Sequence, residues 1–502
     1  MALVTRLGAK GYYLPKDSLE KIDVERMQRE LTVLRKNPMN RGKPHYLYLY
    51  SETPSYYIVP RTWGRIRHGR EELSQTKIRK YGKIDLEYTG PCRPAQKMMV
   101  KACWRGMKTF GGGLLVAGCG TGKTNMAIML SVQAGLKTLF IAHDTDLLRQ
   151  FAERVLETTD ATSIGRIQRD TVDVDHPYVV ATIQSLVRDR GEKNYPEKIF
   201  RDFGMVIFDE VHHYASPTFQ RVFQKICPKY IFGMSAENER PDGLFPVLLH
   251  NIGPILHNEP VPKDTRVWVK RINYHWSDPV EDQALRGHPN IPDYASMNSQ
   301  VVENSRRNRL ILMIIQHYID LGRDILVLSE RREHLERLHA TLELREASAS
   351  CSGLYMGDMS PEDKRISLTK QVVLGTCSKA KEGLDVPNLT VIIFCTSMSS
   401  VRQPIGRILR KKQPGCHPIV VDIIDQDNSA YAGQAEKRAS YYRHNKYQVD
   451  TLSLTEDKES EKYYSNRQLL SDMLERQPRG ALFAQDCGGV RSMKDFVTSD
   501  DE

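Results

Sequence analysis

None of the nine cysteines in this 502-residue chain forms a CxxC pair, and none has histidines beside it at metal-binding spacing. That argues against a zinc module or a disulfide scaffold and leaves free thiols in a reducing compartment as the expectation. No apolar run approaches the length of a membrane span, and the opening "MALVTRLGAKGYYLPKD" lacks the uninterrupted apolar segment of a signal peptide. The cytoplasm or the nucleus is the expected location, with no membrane partner. There is no internal repeat and no long low-complexity tract, which excludes solenoids and fibrous arrays. Neither sign of charge dominates: 72 Lys and Arg stand against 62 Asp and Glu, a modest excess that favours an anionic partner such as nucleic acid. What the chain does have is the composition of a folded protein, with 40% hydrophobic and 27% charged residues. Its length exceeds what a single ordinary core accommodates.

Two blocks alternate short β-branched apolar runs with helix-like polar segments, the pattern of parallel sheets with crossover helices. The first block offers strands at "GGLLVAG" (112–118), "KTLFIAH" (137–143), "YVVAT" (178–182), "MVIFDE" (205–210) and "YIFGMSA" (230–236). The second offers "DILVLSE" (324–330), "GLYMG" (353–357), "QVVLGT" (371–376), "LTVIIFC" (389–395) and "PIVVDII" (418–424). Between them a proline-rich polar stretch reads as a linker leading into a new strand near Val267–Val269, which puts the boundary near Pro262. The expected organisation is an N-terminal accessory domain over 1–90, α/β domains over 91–262 and 263–455, and a charged helical extension over 456–502. Within 1–90, "HYLYLY" and "SYYIVPRTWG" read as a small strand pair with aromatic alternation.

The segment "AGCGTGKT" (117–124) follows a predicted strand and precedes the helix-like "TNMAIMLSVQAG", the context of a phosphate-binding loop. Gly118, Gly120 and Gly122, with Thr121 between them, let backbone N–H groups turn toward phosphates at a helix N-terminus. Lys123 would reach the β- and γ-phosphates, and the Thr124 hydroxyl would ligate Mg²⁺. At the end of "MVIFDEVHH", Asp209 is placed to hold Mg²⁺ and Glu210 to orient or deprotonate the attacking water. His212 would link this pair to the next motif, while His213 reads as a structural or surface residue. Gln96 of "RPAQ" could both donate to and accept from an adenine edge, or could simply be a helix-start residue.

The ordered series RPAQ, AGCGTGKT, TIQSL, DEVH and GMSAENERPDGL resembles the motifs of superfamily 2 helicases and translocases, nucleic-acid motors built on two RecA-like domains. The likeness continues through "KAKEGLDVPNL" (379–389), with Gly383 and Asp385 in the places of the fifth motif, and "QPIGRILRK" (403–411), the QxxGRxxR of the sixth. It spans roughly 330 residues, from near Arg93 to near Asp427. The resemblance implies ATP and Mg²⁺ as cofactors and Arg407 and Arg410 as the arginines that stabilise transferred phosphate, with both expected on one helix. Gln403, Ser235 and Ala236 would couple the nucleotide site to the strand, which would lie on Thr182, Gln184, Ser185 and the loop after "FIAH", and on Thr376, Ser378 and Lys379. Most relatives carry a threonine after Ser235 and Ala236, whereas this chain has Glu237, a departure that bears on unwinding strength more than on hydrolysis.

The "SAENERPDGL" segment resembles an element of the branch containing repair translocases, phage recombination helicases and the helicases of large DNA viruses, and the absence of a DEAD tetrapeptide argues against the RNA chaperone branch. The N-terminal "RELTVLRKNP…YLYLYSETPSYYIVPRTWG" is similar to the extension carried by helicases of large cytoplasmic DNA viruses such as iridoviruses. On that likeness the partner is DNA rather than RNA, with transcription or replication machinery as a further partner. Two alternatives stay open: an ATP-switched clamp without processive unwinding, and an RNA helicase.

Overall fold

Strands Gly112–Val116, Thr138–Ala142, Tyr178–Thr182 and Met205–Phe208 are buried along their whole length, as strands must be when helices cover both faces of a sheet. The computed structural model describes residues 5–36, 45–69, 81–188, 195–259, 266–345, 351–381, 386–409, 417–456 and 467–476, apart from single residues at 9, 119, 241, 287 and 387. The chain divides into two compact units, Met1–Val261 and Pro262–Glu502.

In the first unit an eight-stranded sheet has the Met205–Phe208 strand between Thr138–Ala142 and Tyr230–Ser235, with Gly112–Val116 next along. All neighbours are parallel except the edge hairpin Ile164–Gln168 and Thr171–Asp173. The loops carrying the phosphate-binding and acidic motifs therefore leave the sheet at the same, C-terminal end of its strands, where ligands of open α/β sheets bind. Helices Pro94–Phe110, Lys123–Ala134 and Thr145–Thr158 pack on one face, with Phe140 stacked on Phe151 at 3.7 Å between ring centres. The outermost strand, Ile255–Asn258, falls inside the stretch expected to be linker. Its place is made by Gly106 and Gly113, since a Cβ at either would collide with the Leu256 side chain.

The N-terminal segment differs from its expected form. His45–Tyr48 and Tyr56–Val59 are both strands, but they do not pair with each other. The first pairs with Thr32–Arg35, and the second joins Gly11–Pro15 and Ser51–Glu52. The rest of "SYYIVPRTWG" opens the helix Arg61–His68. The sheet closes over Tyr12, Leu14, Met27, Leu31 and Trp63, whereas Val33 and Leu47 turn the other way into the core of the α/β sheet. Backbone and side chain fasten the segment down: Lys36 N–H donates to Asp242 O at 2.9 Å, and Thr62 Oγ1 donates to Asn251 and Ile252 carbonyls at 3.1 Å.

The second unit holds a seven-stranded, all-parallel sheet in which Trp268–His275 lies between Ile419–Asp425 and Gln448–Thr455. Two buried ion pairs tie helices to the strand Ile419–Asp425. The Arg307 guanidinium is bidentate on Asp425 at 2.7 and 3.0 Å and also donates to Cys395 O, and Arg438 is held on Asp422. Removing one partner of such a pair leaves a buried charge uncompensated, a loss of about 3–5 kcal/mol. Of the C-terminal extension, the described residues contain one helix, Arg467–Glu475.

Candidate nucleotide and nucleic-acid sites

Gly120 and Gly122 adopt φ of +77° and +82°, and Gly122 is the left-handed N-cap of the helix Lys123–Ala134. The position excludes a side chain twice over, because a Cβ there would also run into Gln96 Nε2. Gln96 is buried at the third position of its helix. Its Oε1 accepts from Arg93 N–H at 2.8 Å while its Nε2 donates to Thr121 O at 3.0 Å. Both faces of the amide are thus engaged in bracing the loop, and Arg93 Nη2 adds a donor to Gly120 O at 3.2 Å. Thr121 Oγ1 donates to Gly118 O at 2.9 Å, and Lys123 Nζ donates to Ala117 O at 3.0 Å, with Thr124 beside it in the first helical turn. Gly122→Ala combines an unfavourable φ with displacement of Gln96. It is expected to weaken binding of a fluorescent ATP analogue by about tenfold or more, and unchanged affinity would show that the loop does not need this shape.

Across the sheet, Asp209 N–H donates to Ile141 O at 3.0 Å and Asp209 Oδ1 accepts from Glu210 N–H at 3.0 Å. Burial, and then the like charge of Glu210, push the Asp209 carboxyl up to about 6, while Lys123 and the Glu210 N–H pull it back. The two crowded carboxylates offer the oxygen donors that suit Mg²⁺. Glu210 itself has φ 43° and ψ 52°, a left-handed conformation that costs a non-glycine residue about 1–3 kcal/mol and concentrates at functional sites. Its Oε2 lies 3.5 Å from His212 Nδ1, which in turn meets Ser235 Oγ at 3.0 Å. Ser235 Oγ also accepts the N–H of Glu237 at 2.9 Å. The acidic motif is thereby joined to the Ser235–Ala236–Glu237 turn, and the residue that replaces threonine is held there through its backbone. His213 lies between His212 and His143, with ring centres 4.2 and 4.3 Å apart and the rings tilted by 38° and 39°.

His143 also belongs to a second site. Its carbonyl accepts from Gln184 Nε2 at 2.7 Å, and Thr182 Oγ1 is 2.8 Å from Ser185 Oγ. Thr182, Gln184 and Ser185 line one cleft of about 300 Å³ together with the loop after the Thr138–Ala142 strand. Arg169 and Arg188, which sequence reasoning missed, complete its wall. Arg188 lies three residues beyond Ser185, and Arg169 takes a rare positive φ of 53° in the turn of the edge hairpin. The i, i+3 spacing was a readable signal for the first, but only the fold reveals the second.

In the second unit Thr376 ends its strand, with Oγ1 3.5 Å from Ser378 Oγ, and Lys379 follows on the helix Cys377–Lys381. Gln403 and Arg407 are both buried on the helix Arg402–Ile408, so Arg407 is not part of a solvated basic face. That helix ends at Ile408, short of Arg410, which together with Gly383 and Asp385 lies outside the described residues.

The family described as "Type III restriction enzyme, res subunit" matches residues 89–240. A protein of Acanthamoeba polyphaga mimivirus named "Putative ATP-dependent RNA helicase" is 35% identical over 478 residues, which are 94% of this chain and 91% of that one. The chain belongs to the superfamily 2 helicases. A second viral relative, "Putative helicase" of Invertebrate iridescent virus 6, is 23% identical over 427 residues, covering 81% of this chain and 92% of its own. Among solved structures, the type ISP restriction-modification enzyme LlaBIII bound to DNA has the same fold, with a TM-score of 0.50, 13% identity, and coverage of 77% of this chain and 32% of the enzyme. The two parallel sheets are the RecA-like cores of this superfamily, and the chain is an ATP-dependent nucleic-acid motor. Among the described residues, no helix is long and apolar enough to cross a membrane.

Proposed function

We propose that this helicase is a DNA translocase that grips one strand by its sugar-phosphate backbone and couples ATP hydrolysis to movement along it. The observation that carries the reading is the chain of contacts Glu210–His212–Ser235, which joins the carboxylate that would act as base to the turn that would couple hydrolysis to the strand. The braced glycine loop and Lys123 would receive the triphosphate of ATP, and Thr124 and Asp209 would hold Mg²⁺, which supplies charge neutralisation on the phosphates when bound. Glu210 would take the proton of the attacking water. The strand would lie in the cleft of Thr182, Gln184 and Ser185, where Arg169 and Arg188 meet phosphates, and on Thr376, Ser378 and Lys379. A grip of this kind is independent of sequence and sensitive to salt. DNA as substrate draws on the restriction-enzyme family match, and the large-virus relatives support a role in transcription, repair or recombination of a viral genome in the host cytoplasm or nucleus.

The name of the mimivirus relative favours RNA instead, so the deciding experiment is ATP turnover with single-stranded DNA, duplex DNA, branched DNA and RNA in parallel. Stronger stimulation by DNA is the expected result, and stimulation by RNA alone would replace DNA as the substrate. Because Glu237 stands in the place of the coupling threonine, strand displacement is expected to be weak beside the DNA-stimulated ATPase. Vigorous displacement would show that Ser235 suffices for coupling.

A further inference from the structure

Of the chain's net charge of +10, residues 1–90 carry +8, with 18 Lys and Arg against 10 Asp and Glu. The same segment holds 9 of the 23 tyrosines. The two-stranded ribbon of Thr32–Arg35 and His45–Tyr48 sorts its side chains by face. Val33 and Leu47 are turned into the core, while Leu34, Tyr46 and Tyr48 are 45%, 46% and 62% exposed on the other side. Leu34 pairs across the ribbon with Tyr46, and Tyr48 meets Tyr50 edge-on with ring centres 6.1 Å apart. Tyr48 and Tyr50 continue into a cleft of about 270 Å³, whose opposite wall is the short helix Phe219–Gln224 of the motor core. Exposed Lys10 and Arg221 flank that cleft, and Gln220 and Gln224 line it.

We propose that this ribbon and cleft form a second nucleic-acid site, separate from the motor's own cleft, in which a single strand stacks bases on Tyr46 and Tyr48 and sets phosphates against Lys10 and Arg221. Exposed aromatic rings interleaved with cations are the elements of sequence-tolerant single-strand binding. Amides and tyrosine hydroxyls at the rim suit bases and sugars better than an apolar protein helix. Successive outward residues on a strand are about 6.8 Å apart, roughly twice the base rise of a duplex strand, so the platform fits a strand drawn out of its helix. The site rests on the reading of the chain as a nucleic-acid motor, and it would give that motor a hold on its track independent of the ATP cycle.

The test is equilibrium binding of a fluorescent oligothymidylate to the full chain without ATP. The double variant Tyr46→Ala/Tyr48→Ala should bind about tenfold or more weakly, whereas Tyr46→Phe/Tyr48→Phe, which keeps both rings, should bind close to the parent. Lys10→Glu/Arg221→Glu should lower the salt slope by about 0.7 for each phosphate left unneutralised. Tyr48→Trp should bind with its indole fluorescence quenched, a direct reading that does not depend on the alanine variant folding. Parental affinity in the alanine variant, or an unquenched tryptophan on a binding-competent protein, overturns the second site and leaves the motor reading standing. A parent chain that binds no oligonucleotide overturns both.

Discussion

Glu210→Gln is expected to lower ATP turnover by about 10²–10⁴-fold, the usual contribution of a positioned general base. The exchange keeps the size of the side chain and the left-handed backbone at 210, so nucleotide binding should survive. Since the amide cannot take up a proton, ATP would persist on the enzyme, and nucleic acid should be held more tightly with ATP than by the parent. Steady-state turnover and ATP-dependent DNA affinity, measured on one preparation, check both halves. A variant that hydrolyses at the parental rate would remove Glu210 from the role of base and leave its strained conformation without a catalytic purpose.

Arg407→Ala is expected to reduce turnover by about a hundredfold or more, the scale of a catalytic arginine, with much less change in ATP affinity. Arg407 is buried in the second compact unit, whereas the phosphate loop is in the first. A fall in turnover with nucleotide binding intact would therefore report action of one unit on chemistry held by the other. The fragment 91–262 should likewise hydrolyse ATP poorly and fail to respond to nucleic acid. If Arg407→Ala instead melted the protein, thermal unfolding would drop along with turnover, and Arg407→Lys, which retains charge and most of the side chain, would separate packing from chemistry.

The parallel sheets were legible because strands buried on both faces read as short unbroken apolar runs, and each of the ten runs picked out from the sequence is a strand. The strands that were not legible lack that signature. Ile164–Gln168 and Thr171–Asp173 form an edge hairpin carrying Arg166 and Asp173, Gln448–Thr455 is a half-exposed edge, and Ile255–Asn258 is a partly exposed edge strand whose Leu256 finds room against two distant glycines. The candidate site divides in a similar way. Spacing along the chain marked Lys123, Asp209 and Glu210, since the loop and the acidic pair are local motifs. Spacing did not show that Gln96 would be occupied by its own loop, because that depends on how the helix Pro94–Phe110 packs beside the glycines. Nor did it show that Arg169 joins Gln184, because a turn at the sheet edge brings them together.

The order of strands in the second sheet has a consequence for synthesis. Trp268–His275 emerges early, yet both of its neighbours, Ile419–Asp425 and Gln448–Thr455, come from the end of the unit. The first unit has all of its strands once Asn258 has been made, roughly two hundred residues before Thr455. At about 5–20 residues per second, a ribosome carries one finished half and one unfinished half for roughly 10–40 s. Until Ile419–Asp425 is made, the apolar side chains of Trp268, Val269 and Ile272 have neither neighbouring strand to pair with, which leaves this strand of the nascent chain open to aggregation and to chaperone capture.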